Sequence, residues 1–339
     1  MAPKNNHHVL WITDPWSTLD HPKDTSLRLM EESLKTGIST YWADVHDVFL
    51  ENESVFVNAK ALFEIANTPP RPREAATFRF DEIQKLPLSF FSKVVYRTDP
   101  PVDLAYIHPL LIMRLCTPVA KPGTKPLKKN VKTIEFINPI EAILGTSEKL
   151  ETFYIKGHHP PSMVSSQWKE LSSFGVREQK TVLKPLNLAQ SKGISLIDWQ
   201  GDSKEAVFEL LKRATADFST PVILQRYFAE IKTKGETRLW FVDGKLIACA
   251  QKVPKTGEFK IDMDAGSRLE KATLTAEQKR VVKKIGLQLM LRKIRWAAVD
   301  IIGTYITDYN ITSPGLIVGM EALLKKNLAK LIIETLKAQ

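Results

Sequence analysis

Residues 299–314, VDIIGTYITDYNITSP, constrain this chain more than any other stretch. β-Branched and aromatic residues from Trp296 to Ile302, then Gly303, then a second such run from Tyr305 to Ile311 predict a β-hairpin. With a three-residue connection, Ile302 faces Ile306 and Asp300 faces Asp308, their Cβ atoms about 5 Å apart. Asn310, two residues on, projects to the same face. Like charges opposite one another destabilise a sheet unless something lies between them. Mg²⁺ suits the gap, because it takes one or two carboxylates together with waters and phosphate oxygens. A solvated hairpin with three outward polar positions gives the same alternation.

The order of the residues narrows that choice. D-I-I-G-x-x-x-T-D-x-N-x-T-S-P resembles the metal-binding end of the bacterial glutathione synthetases, members of the ATP-grasp ligases. The resemblance implies an α/β ATP-grasp fold with an N-terminal Rossmann-like pre-ATP-grasp domain. It also implies Mg²⁺ (or Mn²⁺) held against ATP phosphates by Asp300, Asp308 and Asn310. Asp308 stands where the family has Glu, one methylene longer, which weakens the case for two bridged metals over one.

A chain of 339 residues exceeds one ordinary core and predicts two or three lobes. No apolar run reaches the length of a membrane span, and Met1-Ala-Pro-Lys-Asn-Asn lacks a signal-peptide pattern, so a cytoplasmic protein with no membrane partner is expected. Cys116 and Cys249, far apart in sequence, indicate neither a disulfide framework nor a cysteine metal site. The net charge of +10 suits anionic substrates such as ATP. Its lysines are dispersed apart from Lys125–Lys132 and Lys325–Lys326, and no nucleic-acid-binding motif is present, so no nucleic-acid partner is expected.

In the first 138 residues, Val9–Ile12 reads as a strand, Asp24 or Thr25 caps a helix from Ser26 to about Lys35, and Thr40–Ala43 returns as a strand. This βαβ unit has no G-x-G-x-x-G turn and gives no dinucleotide fingerprint. Lys93–Arg97 is a further strand leading into Thr-Asp-Pro-Pro-Val-Asp and a helix over about 104–114. Both turns, T-D-P-W-S-T-L-D-H-P-K-D-T-S and R-T-D-P-P-V-D, resemble the N-terminal lobe of the same synthetases, whose strand ends face the peptide substrate. The resemblance implies substrate-side roles for Asp14 and Arg97; proline-shaped loops and aspartate caps are the alternative. Residues 117–132 form a basic Pro/Gly-containing excursion, either disordered or a surface loop.

Residues 139–220 resemble the family's lid lobe and 221–339 its C-terminal ATP-grasp lobe. Ser147-Glu-Lys-Leu150 matches a helix start whose Lys149 contacts phosphate, and Val182-Leu-Lys-Pro185 matches a strand whose Lys184 does the same. Where the family then has L-D-G-M-G-G, this chain has L-N-L-A-Q-S-K-G, leaving the phosphate grip to Ser191, Lys192 and Gly193. Pro221–Phe228 matches the interlobe strand, implying adenine contacts from the backbone of Gln225, Arg226, Tyr227 and Phe228. Arg238, in a D-G hairpin, aligns with an arginine at the transferred phosphate, and Glu236 with a ribose contact. In 257–270, Lys260 replaces a family Arg, Asp262 an Asn, Asp264 an Ala and Ser267 a Gly. These changes favour a substrate carrying an amine over an anionic peptide. Thr275 and Gln278 form a capping box, and a basic helix over 321–337 closes the chain.

Taken together, the resemblance implies an ATP-dependent, ADP-forming carboxylate–amine ligase that works through an acyl phosphate, with Lys184 and Arg238 at the transferred group. Small peptides or amino acids are the implied substrates, and a homodimer or homotetramer the implied assembly. The altered loops leave two alternatives: a paralogue ligating a different peptide or amino acid, and a non-catalytic nucleotide-binding protein.

Overall fold

The computed structural model describes residues 7–67, 77–116, 133–145 and 147–337. The proline-rich stretch 68–73 and the basic excursion at 117–132 therefore lie outside the described residues.

Apolar runs at the start of the chain build one mixed sheet. Its strands are β1 (His8–Thr13), β2 (Ser39–Asp44), β3 (Val48–Glu51), β4 (Ser54–Asn67), β5 (Thr77–Phe80), β6 (Gln84–Pro87), β7 (Lys93–Arg97) and β8 (Glu135–Ile137). The path is β3-β4-β2-β1-β7-β8, and β2, β1, β7 and β8 are parallel. Helix α1 (Thr25–Lys35) crosses between β1 and β2, and its cap is Asp24, whose carboxylate accepts from Leu27 N at 2.9 Å. Helix α2 (Leu104–Arg114) follows β7 and is capped by Asp103 in the same way. Parallel strands end on one side, so the carboxyl ends of β1 and β7 present Asp14 and Arg97 together.

After the short helix α3 (Ile140–Leu144), the 147–150 segment forms no α-helix; a 3₁₀ turn over Leu150–Tyr154 replaces the expected helix start. A second sheet, in the order β11-β10-β12-β9, joins β9 (Ser162–Ser165), β10 (Lys180–Pro185), β11 (Ser195–Asp198) and β12 (Val222–Arg226). Helices α4 (Trp168–Glu178) and α5 (Lys204–Ala214) cover its outer face through Leu171, Phe174, Val207 and Leu211. Strand β12 hydrogen-bonds inside this sheet, two residues beyond the expected lobe boundary at 220.

The third sheet follows the one-turn helix α6 (Ile231–Lys234) and runs β15-β14-β13-β16-β17. It comprises β13 (Glu236–Val242), β14 (Lys245–Val253), β15 (Arg268–Lys271), β16 (Trp296–Ile302) and β17 (Tyr305–Asn310). Helix α7 (Ala276–Leu291) begins at the expected Thr275–Gln278 capping box. The basic terminal helix is instead two, α8 (Ile317–Leu324) and α9 (Leu328–Lys337), separated at Lys325 in a left-handed conformation (φ 54°). Neither is a solvated basic rod. Leu328, Ile332, Ile333 and Leu336 enter the core shared by Trp11 and Leu29 of the first sheet layer and by Trp240 and Trp296 of the third. Arg28 pins the same contact, pairing with Glu32 at 2.9 Å and Glu321 at 2.8 Å. Asn138, 3% exposed, donates to the carbonyls of Trp296 and Ile311 and accepts from Arg295 N and Trp296 N, fastening the first layer to both ends of the β16–β17 hairpin.

Candidate active site

A cleft of about 770 Å³ lies between the second and third sheets and opens onto the carboxyl ends of β1 and β7. That size is typical of small-molecule sites. Its floor is one face of the third sheet, and two β-bulges decide which side chains share that face.

The β16–β17 connection has two residues, not three: Ile302 pairs with Tyr305 and Ile301 with Ile306. Continued without interruption, this register would set Asp300 against residue 307. An irregularity between Asp300 and Ile301 shifts it by one, so that Asp300 faces Asp308 as expected. The β13–β14 hairpin does likewise. Its Asp243-Gly244 turn pairs Val242 with Lys245, and a shift at Trp240/Phe241 then brings Lys252, rather than Gln251, opposite Glu236. Since β13 also pairs Arg238 with Asp300, the row Arg238–Asp300–Asp308 crosses three neighbouring strands on one face.

This arrangement corrects the picture of two bare carboxylates awaiting a metal. Asp300, 2% exposed, accepts from Arg238 Nε at 2.9 Å and Nη2 at 2.6 Å, and from Lys252 Nζ at 2.9 Å. Burial alone would raise its pKa, but Arg238 and Lys252 overcome that and hold the carboxyl well below the usual range. Burial disfavours the Arg238 charge too, and Asp300 reverses the outcome, raising the guanidinium pKa. Lys252 also pairs with Glu236 at 2.5 Å, whose other oxygen accepts from Thr307 Oγ1 at 3.2 Å. The cation opposite Asp300 is thus supplied largely by the protein.

Asp308 differs. Its Oδ1 is buried without a hydrogen-bond partner. Asn310 donates Nδ2 to Ala298 O at 3.0 Å, which turns its amide oxygen toward use as an acceptor. An unpartnered carboxylate oxygen beside an amide oxygen and Asp300 is a hard-oxygen donor set, and it fits a divalent cation. Two carboxylates and one amide are too few for an octahedral ion, so phosphate oxygens or water would complete the shell.

Above this floor, Lys184 of β10 reaches Thr307 O at 3.2 Å, and burial lowers its pKa. Lys149, 5% exposed, donates to Leu188 O. Glu148, which sequence reading passed over, accepts from Ile311 N at 2.7 Å and from Thr312 N and Oγ1. Burial, then the charge of Asp308, pushes its carboxyl up to about 7. Four lining groups therefore meet at this end: Lys149, Lys184, Arg238 and Lys252 bring positive charge to the two hairpin carboxylates.

At the interlobe strand, Gln225 is buried and Tyr227 and Phe228 line the cleft, with Phe228 stacked on Tyr305 at 5.0 Å. Of the backbone expected to meet adenine, two amides are already bonded within the protein. Arg226 N bonds Pro161 O and Tyr227 N bonds Lys180 O, so neither amide is available to a nucleobase. The Arg226 side chain pairs with Glu178 at 2.6 Å at the edge of the cleft.

Loop 186–193 lies over the cleft. Ser191 Oγ donates to Ile261 O at 2.9 Å, so its hydroxyl is used within the protein and not held out to phosphate. Lys192 lines the cleft, whereas Gly193 does not. Gly193 (φ 70°) instead turns the chain where a Cβ would sit 2.8 Å from Pro185 Cγ. Gln190 (φ 54°) and Ser191 (φ 59°) hold left-handed conformations that glycine would adopt without strain.

In the 257–270 loop, Lys260 and Asp262 line the cleft and Ser267 does not. Ser267 closes the loop instead: its N donates to Asp262 O and its Oγ accepts from Asp262 N. Asp262 Oδ1 accepts from Asp264 N and Ala265 N, and Asp264 pairs with Lys23 at 2.7 Å. Both aspartates thus shape or tether the loop as well as charging it. At the far end, Asp14 Oδ2 accepts from Asp99 N at 2.9 Å, and Arg97, 3% exposed, donates Nε to Ser26 Oγ and Nη2 to Pro314 O.

Two family models match this chain: the N-terminal domain of prokaryotic glutathione synthetase over residues 8–120, and its ATP-grasp domain over 148–325. A glutathione synthetase of Prochlorococcus marinus is 24% identical, with 96% of this chain and 98% of that protein aligned. One from Gloeobacter violaceus is 26% identical over 90% of this chain and 89% of its own length. Among solved structures, D-cycloserine synthetase DcsG superposes with a TM-score of 0.64 over 97% of this chain and 99% of its own, at 17% identity, which supports the fold. With both of its halves matched in order, this chain belongs to the prokaryotic glutathione synthetase family, a family of ATP-dependent carboxylate–amine ligases built on the ATP-grasp fold.

Proposed function

We propose that the protein activates a substrate carboxylate with Mg²⁺-ATP (Mn²⁺ serving in its place) and passes the acyl group to an amine, releasing ADP and phosphate. The observation that carries this reading is the buried row Arg238–Asp300–Asp308, with Lys252 and Lys184 beside it. A bound divalent ion would supply charge neutralisation for the phosphates, with Asp308, Asn310 and Asp300 as its protein ligands. Arg238, held by Asp300, and Lys184 stabilise negative charge on the transferred phosphoryl group. Lys149 and Lys192 bind phosphate oxygens. Gln225, Tyr227 and Phe228 enclose the base, and Glu236 faces the ribose. No protein nucleophile is required, because the substrate carboxylate attacks the γ-phosphate itself. In this reading residues 1–138 carry the substrate side, 139–220 the lid and 221–339 the metal site, with β12 as the link.

The acceptor and acid are small peptides or amino acids. A specific observation favours a paralogue that makes something other than glutathione: Asp262 and Asp264 put two carboxylates at the substrate side, only one of them paired with Lys23. ADP release measured against γ-glutamylcysteine plus glycine and against a panel of dipeptides, amino acids and amines tests both points. Turnover is expected with a member of the panel and weak or absent with the glutathione precursors. Lys260→Arg combined with Asp262→Asn and Asp264→Ala should raise turnover on γ-glutamylcysteine. No ADP release with any pair would overturn the ligase reading, and robust glutathione formation by the unaltered protein would overturn the paralogue.

A further inference from the structure

The outer face of α7 takes no part in the chemistry proposed above. Its inner face is packed: Val281, Ile285 and Leu289 are buried with Leu239 and Phe241 of β13 and Ala297 and Val299 of β16. Those strand positions alternate with Arg238 and Asp300, so α7 lies on the back of the floor sheet, away from the cleft. The β13–β14 turn seats the helix closely. A Cβ on Gly286 would stand 2.2 Å from Gly244 O, and one on Gly244 would stand 2.6 Å from Met290 Cγ. The outer face is therefore a fixed ridge.

Three large apolar side chains project from that ridge. Leu287 and Met290 are each 61% exposed, and Leu291, at 79%, is the most exposed large apolar residue among those described. Positions 287, 290 and 291 fall on one side of a helix, so the three form one patch. Single exposed leucines are ordinary, but contiguous ones mark a contact surface. The charge around the patch has one sign. Lys279, Arg280 and Lys283 stand exposed on the same side in the preceding turns, Lys293 follows the helix, and Lys245 stands on the adjoining turn. Glu277 is the sole acidic residue across 276–293. Lys284 is engaged by His158 Nε2 at 2.8 Å, and Asp243, the carboxylate of the adjoining turn, is taken by Arg295 at 2.8 Å. Among the described residues, no carboxylate pairs with Lys279, Arg280, Lys283 or Lys293.

A second copy docked on this face about a twofold axis would set the cationic surface against itself, which is repulsive. A folded protein partner needs about 800 Å² from each side and a groove matched to the ridge, and three side chains on one helix fall short of that area. An anionic bilayer surface needs neither, since cations meet lipid phosphates while apolar side chains enter the headgroup boundary. We propose that the outer face of α7 binds an anionic lipid surface. Leu287, Met290 and Leu291 enter the interface, and Lys279, Arg280, Lys283 and Lys293 meet the phosphates. No helix among the described residues is long and apolar enough to cross a bilayer, so the contact is peripheral. The cleft then faces away from the lipid and stays open to soluble substrates. The expectation of no membrane partner rested on the lack of a span and of a signal peptide. It did not reach this contact, because which side of α7 the sheet covers is what exposes the patch.

Vesicle flotation of the full chain tests this without reference to turnover. Vesicles of phosphatidylglycerol and phosphatidylcholine in equal parts are compared with phosphatidylcholine alone, at low and at physiological salt. Binding to the anionic set should exceed binding to the neutral set about tenfold or more, and weaken as salt rises. Leu287→Ser with Leu291→Ser should lower it about tenfold or more, because two apolar side chains no longer enter the interface. Lys279→Gln, Arg280→Gln and Lys283→Gln together should lower it by a similar factor. The whole chain is basic, at +10, so a matched triple on the lid helices, Lys169→Gln, Lys204→Gln and Arg213→Gln, serves as control and should lose little. All of these side chains are exposed, and thermal melts of the variants should match that of the parent. No binding to anionic vesicles, equal losses from the two triples, or indifference to the two leucine changes would overturn the proposal. Capture of a soluble acidic amphipathic helical peptide without vesicle binding would also overturn it, and would make the face a protein-docking surface.

Discussion

Asp300 and Gln190 border the same cleft, but the two are held in place by different physics. Asp300 sits on a central strand, 2% exposed, between two cations, and its strand is buried throughout. Gln190 lies on a loop tied by single hydrogen bonds: Gln190 to Asp99, Ser191 to Ile261 O, Lys149 to Leu188 O, Ser147 to Leu186 O, and Val102 N to Asn187 O. A charge cluster in a packed sheet keeps its geometry before any ligand arrives. A loop held by single polar contacts, with no packed apolar core of its own, opens at smaller expense than a sheet, which is what substrate entry beneath it requires. On the proposed reading, the difference teaches that the phosphate-binding floor is preorganised, whereas access is adjustable.

The sharpest way to break this comparison is Asp300→Ala. Removing one partner leaves Arg238 and Lys252 as buried charges without a carboxylate between them, and the expected loss is about 3–5 kcal/mol of unfolding free energy. Urea denaturation at neutral pH measures it; a loss comparable to that of a surface substitution would show that the cluster does not anchor the floor.

A smaller effect, of opposite sign, is expected at Asp99. Burial, then the charge of Asp14, pushes its carboxyl up to about 6. A carboxyl whose pKa is higher folded than unfolded gives the folded state the extra proton between the two values. Its ionisation therefore removes stability as pH rises from about 4 through 6. Asp99→Asn should raise the unfolding free energy at pH 8, by on the order of 1–2 kcal/mol, and make little difference near pH 4. Thermal melts at both pH values would reveal it; an equal change at both would mean that the carboxylate charge is not the cause.

The smallest change in stability belongs to the loop. Gln190→Ala with Ser191→Ala removes two partly exposed hydrogen bonds, each worth about 0.5–1.5 kcal/mol at most. Hydrogen exchange should nevertheless quicken at 188–193 and slow again on adding Mg²⁺-ATP. Amides there that are fully protected in the free protein would make the loop part of the rigid frame and erase the contrast.

Much of the fold was readable from local signals: Asp24 and Asp103 as caps, the Thr275–Gln278 box, and the short apolar and β-branched runs of β1, β7 and β16. The facing of Asp300 and Asp308 was readable as well, though by a different route. A three-residue connection and a two-residue turn plus one bulge give the same pairing, and only the second occurs. Bulges carry no composition signal of their own, which is why Lys252 escaped notice: without the shift at Trp240/Phe241 it would face away from Glu236. Glu148 and Asp99 were missed for a related reason. Each owes its environment to residues more than 80 positions away, Ile311 and Thr312 for one and Asp14 for the other. The division of the terminal helix at Lys325 was equally hidden, because its basic face and its core-facing leucines suit one helix or two.

The central claim is that the hairpin face binds nucleotide through a divalent ion, and Asp308→Asn tests it most directly. The substitution keeps the size of the side chain and leaves the Arg238–Asp300–Lys252 cluster intact, so the fold should persist. Calorimetric titration with ATP, with Mg²⁺ present and again with EDTA, separates the metal from the rest of the site. The account predicts at least about a tenfold loss of affinity with Mg²⁺, corresponding to roughly 1.4 kcal/mol, and little change without it. Equal losses in the two titrations, or none in either, would contradict it.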